Sequence, residues 1–310
     1  MPKTKSKQSE IRKDYFLNKY VIITPGRAKR AFDIKEKSVV EKKEFCYFCP
    51  ENVDKNNIKD EIKVGKNWQV LSLGNLFPAV SQNNNKAYGV QEVLVETPNH
   101  SKELAELSEK EIIMLLKMYI KRTREISEDK KIEYILCFKN HGAKAGASKI
   151  HSHSQIFATN ILPPEVENEL HEARLYKTEH GSCPFCDIIK KEAKSPRKIY
   201  SDKYIVALAP YASQFHYEAW IFSRRHLDNI TRLNEDEIKS FAKALKKILW
   251  KLHQIGLSYN FFLHQVVSDN EQHFYLKIQP RDSIWAGVEL GSGIVINSIS
   301  PEEAAKYYSK

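Results

Sequence analysis

The sequence predicts a chain of mixed strands and helices built as two copies of one unit, and three observations carry this. Two Cys-x-x-Cys pairs, Cys46/Cys49 and Cys183/Cys186, open the two copies. Each pair is followed in the same order by a β-rich stretch ending at a histidine (His100, His226), a helix, a strand, and a strand holding another histidine (His151, His273). The helix starts match independently, Leu107-Ser-Glu-Lys-Glu-Ile112 against Leu233-Asn-Glu-Asp-Glu-Ile238. The offset is 137 residues from Cys46 to Cys183, 126 from His100 to His226, 126 again between the helix starts, and 122 from His151 to His273. Such a drift is what a duplicated unit gives once loops have shortened.

Each element has a local reason. Residues 1–15 are basic and read as a flexible tail; 16–160 form the first half, 161–181 a linker and 182–310 the second half. Both helices open on a capping box, Ser108 with Glu111 and Asn234 with Glu237. Apolar residues then recur at helical spacing: Ile112, Leu115, Leu116 and Ile120 in one, Ile238, Phe241, Leu245, Ile248, Leu249 and Leu252 in the other. Gly256 closes the second helix. Strands are expected over Lys131–Asn140, Lys149–Ala158 and Tyr259–Gln265. The linker opens with Pro163-Pro164 and reads as a short helix with a loop at each end.

Composition narrows the classes. With 310 residues, 42% hydrophobic and 28% charged, the chain can bury a substantial core. No apolar run reaches the roughly 18 residues that would span a membrane, and the N-terminus lacks the apolar stretch of a signal peptide, so a cytoplasmic protein without a membrane partner is expected. A net charge of +10 favours anionic partners. No nucleic-acid-binding signature accompanies that charge, so nucleic acid is not expected; a non-enzymatic, zinc-bearing nucleic-acid binder is the remote rival. The fifth cysteine, Cys137, lies in an apolar run and reads as a core thiol.

Paired cysteines in such a protein point to metal. Zinc favours four Cys and His ligands, and the repeat nominates two sets: Cys46, Cys49, His100 and His151, then Cys183, Cys186, His226 and His273. Both sets leave no open position and read as structural zinc sites. His171, His180, His216 and His264 are rival ligands for the second.

The stretch His151-Ser-His153-Ser-Gln155 carries the chemistry. Alternate residues of a strand share a face, so His151, His153 and Gln155 point one way. His151 can ligate metal and pin the strand, His153 can attack phosphorus as a neutral imidazole, and Gln155 can donate to a phosphoryl oxygen. Upstream, Asn140-His-Gly-Ala-Lys-Ala-Gly-Ala-Ser148 has the glycines and small residues that let backbone N–H groups approach a phosphate; Ser148 and Lys144 add a hydroxyl and a charge. In the second half Tyr275 stands where His153 stands, so only the first half should be catalytic.

These pieces together resemble the galactose-1-phosphate uridylyltransferases of the histidine triad superfamily along nearly the whole chain. The match includes Tyr20 through Arg30, Cys46-x-x-Cys49, Asn75-Leu-Phe77, Thr97-Pro-Asn-His100, Asn140 through Gln155, Gly287 through Asn297, and Ser300-Pro-Glu-Glu-Ala-Ala305. The resemblance implies an α+β fold of two tandem histidine-triad-like halves, antiparallel sheets with packed helices. It implies that Arg27, Arg30, Asn75 and Phe77 hold the nucleotide and that Asn140, Gly146, Ser148 and Gln155 contact phosphate. It makes His153 the nucleophile, puts Glu289 and Asn297 near the sugar, and implies a homodimer whose sites borrow residues from the partner.

The implied activity is UDP-glucose–hexose-1-phosphate uridylyl transfer by a ping-pong route, from a nucleoside diphosphate sugar to a sugar 1-phosphate. Two departures open an alternative. Ser152 stands where many uridylyltransferases have Pro, and some of them lack the second Cys-x-x-Cys and use a metal set that includes a Glu near the position of Glu169. Both features resemble the ADP-glucose phosphorylase branch, in which an adenylyl group passes to phosphate; another nucleotide phosphorylase or hydrolase of the superfamily is a further alternative.

Overall fold

The computed structural model describes residues 8–25, 45–267, 269 and 271–310. In chain order the first half contributes β1 (Glu10–Lys13), β2 (Tyr20–Ile23), β3 (Ile58–Val64), β4 (Asn67–Gly74), β5 (Gly89–Val95), α1 (Glu109–Ile126), β6 (Tyr134–His141) and β7 (His153–Thr159). Helices α2 (Pro164–His180) and α3 (Pro184–Glu192) follow. The second half continues with β8 (Lys198–Ser201), β9 (Ile205–Leu208), β10 (Ala219–Ser223), α4 (Glu235–Gln254), β11 (Tyr259–His264) and β12 (Tyr275–Pro280). The chain ends in α5 (Gly287–Ser292), β13 (Val295–Asn297) and α6 (Pro301–Ser309). No helix of the described residues is long and apolar enough to cross a membrane.

The α+β class is met, and the two halves share one sheet. Its order is β3-β4-β5-β7-β6-β11-β12-β10-β9-β8, antiparallel throughout. Read outward from the β6–β11 pair, the same succession of strands runs to each edge, so the repeat seen in the sequence is a pseudo-twofold about that seam. A separate three-stranded sheet, β1-β2-β13, joins the two ends of the chain.

Both long helices form because their caps and stripes agree. Ser108 and Asn234 each accept from the N3 backbone while Glu111 and Glu237 reach back to the cap N–H. The apolar stripes of α1 and α4 pack side by side on one face of the sheet, burying Leu115, Leu116, Tyr119, Phe241, Leu245 and Leu249 against Ile156, Phe261, Leu263 and Leu276 in one continuous core. Alternation along β7 sends Ser154, Ile156 and Ala158 into this layer and leaves His153 and Gln155 on the other face.

Four elements differ from expectation. Within residues 1–15, expected to be a flexible tail, Glu10–Lys13 form β1, paired with β2, and Arg12 is buried against Glu302. The strand expected from Lys149 begins at His153, because its ladder with β6 ends at Phe138↔Gln155 and that with β5 at Val95↔His153, leaving residues 149–152 outside both ladders. The strand with His273 likewise begins two residues later, at Tyr275. The expected short linker helix is a 17-residue one, α2, held by Pro164 at its first turn and by Gly181 in the left-handed conformation at its end.

Phe261 lies on β11 at the seam, opposite Lys139 of β6 and Ile278 of β12, and is fully buried. Phe261→Ala should cost about 3–5 kcal/mol, read as a lower urea midpoint. A shift equivalent to less than about 1 kcal/mol would mean that the seam does not carry the common core.

Candidate active site and metal centres

The loop from β6 to β7 is shaped by two left-handed glycines, Gly142 (φ 79°) and Gly146 (φ 80°). A Cβ on Gly142 would also lie 2.2 Å from Ser258 Oγ, so close approach as well as φ requires glycine there. The Gly142 carbonyl accepts from Ala145 N (3.1 Å) and Ala147 N (3.2 Å), curling the backbone back on itself. Ser148 and Gly146 are exposed on this loop. Between the loop and the end of α4 lies a cavity of about 360 Å³ whose lining includes Glu103, Lys139, His141, Ser152, His253 and Ser258.

His153 is buried, with its ring 5.3 Å from that of Phe48. Its Nδ1 lies 2.9 Å from the His151 carbonyl oxygen. A carbonyl only accepts, so Nδ1 carries the proton and Nε2 keeps its lone pair. Burial, and then the charge of Lys139 behind the strand, push the imidazole below its usual pKa and favour the neutral form. Gln155 follows on the same face; its Oε1 accepts from Gln91 Nε2 at 3.4 Å, and Gln91 Oε1 accepts from Ala79 N at 2.8 Å.

Behind the strand sits a buried ion pair that sequence reading missed. Lys139 Nζ donates to Glu96 Oε2 (2.7 Å), Ser152 Oγ (3.1 Å) and the His153 carbonyl (2.9 Å). Ser152 Oγ donates to the same Glu96 oxygen at 2.6 Å, and Glu96 N donates to the Ser152 carbonyl at 3.1 Å. One lysine interrupting the apolar alternation of β6 was the only signal in the sequence. His141 Nδ1 lies 3.1 Å from Glu103 Oε2, and its ring stacks on Tyr259, bracing the start of the loop.

The two Cys₂His₂ sets assemble as two compact groups, each with all four donor atoms within 4.8 Å of one another. In the first, Cys46 Sγ lies 3.5 Å from His151 Nδ1, and Cys49 Sγ lies 3.3 Å from His100 Nδ1 and 3.8 Å from His151 Nδ1. In the second, Cys186 Sγ lies 3.5 Å from His226 Nδ1 and 3.7 Å from His273 Nδ1. Bond lengths of about 2.3 Å to sulfur and 2.0–2.1 Å to nitrogen at a tetrahedral centre give S···N edges near 3.5 Å, so both groups fit a metal ion. The outer support is duplicated too: His151 Nε2 donates to the Thr97 carbonyl and His273 Nε2 to the Ser223 carbonyl, each at 2.8 Å, which turns Nδ1 toward the cysteines. The rival histidines are engaged elsewhere, His264 with Glu169 (3.3 Å), His216 with Asp282 (2.8 Å) and His180 stacked on Tyr176; His171 belongs to neither group.

The remaining expected residues are less gathered. Asn75 Oδ1 accepts from Phe77 N, and the Phe77 side chain is almost wholly exposed. Glu289 caps α5 by accepting from Ala286 N. Asn297 is buried, donating to the Ser213 and Phe215 carbonyls and accepting from Ile299 N, so its amide is already engaged within this chain. Arg27 and Arg30 lie outside the described residues.

In the second half the counterpart of His153, Tyr275, donates its hydroxyl to Glu169 of α2 at 3.0 Å. The Glu169 carboxyl is buried, which would raise its pKa, but His264, Lys277 and Tyr275 hold it down at about 2. Helix α2 therefore places an anion on the face that the first half leaves for His153.

Residues 1–163 match the family model for the N-terminal domain of galactose-1-phosphate uridyl transferase. An ADP-glucose phosphorylase of Arabidopsis thaliana is 32% identical, across 96% of this chain and 91% of its own length. A galactose-1-phosphate uridylyltransferase of Thermotoga maritima is 34% identical, across 70% of this chain and 73% of its own. The crystal structure of an ADP-glucose phosphorylase from Arabidopsis thaliana with bound ADP-glucose superposes with a TM-score of 0.86, at 30% identity, covering 98% of this chain and 99% of that one.

Lys139 and Glu96 are both almost fully buried, so removing one charge strands the other. Lys139→Met should cost about 3–5 kcal/mol in thermal unfolding. The double variant Lys139→Met/Glu96→Gln should recover more than half of that loss; equal losses in single and double variants would show that the pair is not coupled.

Proposed function

The chain belongs to the galactose-1-phosphate uridylyltransferase family and is a nucleotidyltransferase; from this premise we propose that it transfers the nucleotidyl group through a covalent bond to His153. The observation that carries the proposal is the 2.9 Å contact of His153 Nδ1 with the His151 carbonyl, which leaves Nε2 as the basic nitrogen on a buried, neutral ring.

In the first step Nε2 attacks the α-phosphorus of a nucleoside diphosphate hexose. The P–N bond forms as the P–O bond to the hexose 1-phosphate breaks, and the leaving group departs as a stable phosphate anion that needs little protonation. The developing imidazolium keeps its Nδ1 proton on the His151 carbonyl. Charge on the non-bridging oxygens is met by N–H donors, for which Gln155, Asn140 and the Gly146–Ser148 backbone are the candidates. In the second step a phosphate oxygen of the acceptor attacks, the P–N bond breaks, and neutral His153 returns. The second half, with Tyr275 tied to Glu169, serves as the structural copy.

We read the transferred group as uridylyl, passing from UDP-glucose to a hexose 1-phosphate, as the uridylyltransferase relatives support. A second reading, adenylyl transfer from ADP-glucose to phosphate, is favoured by the nearly complete coverage of the plant phosphorylase match and by Ser152, whose hydroxyl donation to Glu96 a proline cannot make. The metal in both centres is proposed to be zinc, held by Cys46, Cys49, His100 and His151 and by Cys183, Cys186, His226 and His273, in a structural role. We place the protein in the cytoplasm, where reduced cysteines persist. We propose a homodimer, supported by the exposed Ile284, Val288 and Leu290 of the C-terminal segment.

Incubation with UDP-glucose or ADP-glucose, each radiolabelled in the nucleotide, should label the protein covalently with one of them, and that one names the base. Release by galactose 1-phosphate or by phosphate names the acceptor. His153→Ala should abolish labelling while metal content stays at about two zinc per chain; a fully active His153→Ala protein would overturn the assignment.

A further inference from the structure

Asn260 of β11 lies opposite Asn140 of β6 in the register of the seam. Its side-chain amide donates to Asn140 Oδ1 at 2.8 Å and to the Ala145 carbonyl at 2.9 Å. The second contact fixes the first. A backbone carbonyl can only accept, so the Asn260 atom facing Ala145 is nitrogen. The same nitrogen faces Asn140, so the atom presented by Asn140 is oxygen. The Asn140 nitrogen is then turned away from the seam with both of its N–H donors. A flipped Asn140 would set an amide N–H₂ against an amide N–H₂, losing one hydrogen bond and opposing two like dipoles.

From this chain of contacts we propose that Asn260, a residue of the C-terminal half, is a positioning residue for nucleotidyl transfer. It fixes which end of the Asn140 amide meets the phosphoryl group and holds the phosphate loop at Ala145. The inference rests on the reading of His153 as nucleophile and of Asn140 as a phosphate contact. It adds that the N-terminal half is an incomplete catalytic unit: its phosphate-binding loop takes its shape from the opposite half. Ser258, two residues before Asn260, acts on the same loop, since only glycine fits against its hydroxyl at position 142. The start of β11 therefore meets the loop at Gly142, Ala145 and Asn140.

The test uses the full-length protein and single-turnover labelling with whichever radiolabelled nucleotide sugar marks the wild type. Absence of wild-type labelling would refute the covalent reading itself. Given labelling, Asn260→Asp, of equal size but unable to donate, should slow it about 10²-fold at saturating donor, the scale of losing one oriented donor at a phosphoryl or acyl centre. Half-saturation should move less than about threefold, because the donor acts on the transition state. Asn260→Ala, which adds no charge, should lose about tenfold and carries the test if the aspartate variant does not keep its metal and circular dichroism. In an Asn140→Ala background, Asn260→Ala should lose clearly less than its tenfold in the wild type, about threefold at most, the remainder being the part carried by the Ala145 contact. Wild-type labelling by both variants, or losses at 140 and 260 that multiply in full, would overturn the proposal.

Discussion

The β6–β11 pair is the interaction on which the rest of this structure depends. Each half alone would end in an open edge strand with a row of unsatisfied backbone groups. Pairing the two edges removes both at once and brings α1 and α4 side by side, so their apolar stripes close over a single core. It also fixes register. Phe261 faces Lys139 and Asn260 faces Asn140, so the pairing that buries the core also sets a polar contact on the opposite face. A slip of one residue would exchange those faces and lose the core and the amide contact together.

Duplication explains the architecture, and the differences between the copies explain the chemistry. Both halves keep the same Cys₂His₂ group, able to hold a metal ion: two cysteines three residues apart, from a turn in one half and the start of α3 in the other, and two histidines, the last oriented by donation to a backbone carbonyl. Two residues beyond that last ligand, each half starts a strand. In one the first residue is His153, whose Nε2 keeps its lone pair; in the other it is Tyr275, tied to a buried carboxylate. An anion at that place would repel a phosphoryl group, which accords with the proposal that only the first copy carries the reaction.

Much of this was legible in the sequence because it is written locally. The capping boxes, the helical stripes, the Cys-x-x-Cys pairs and the His151/His153 spacing are relations among residues close in the chain or at a constant offset. Tertiary structure made one local feature, the strand, start later, because only neighbouring strands decide where a ladder begins. The Lys139–Glu96–Ser152 network and the Asn260–Asn140 contact were illegible for the opposite reason. Their partners are 43 and 120 residues apart and meet only through strand register. A lysine in β6 looks like an interruption until Glu96, from the segment after β5, is brought beside it.

That buried pair raises the question of why a lysine should stand behind His153, the proposed nucleophile, which must be neutral to attack. Burying two charges is costly, and a well-packed apolar pair would often be as stable. What an apolar pair cannot do is hold the backbone. Lys139 binds the His153 carbonyl, and Glu96 binds Ser152 through both its side chain and its N–H, just where β7 has lost its neighbours. The strand is thus gripped at 151 by the Cys₂His₂ group, at 152 by Glu96 and at 153 by Lys139. The Lys139 charge acts on the ring in the useful direction, favouring the uncharged imidazole. Its ion pair with Glu96 keeps that effect from becoming an unbalanced field. Positional rigidity at the residue proposed to meet phosphorus in line is what the cost of burial secures.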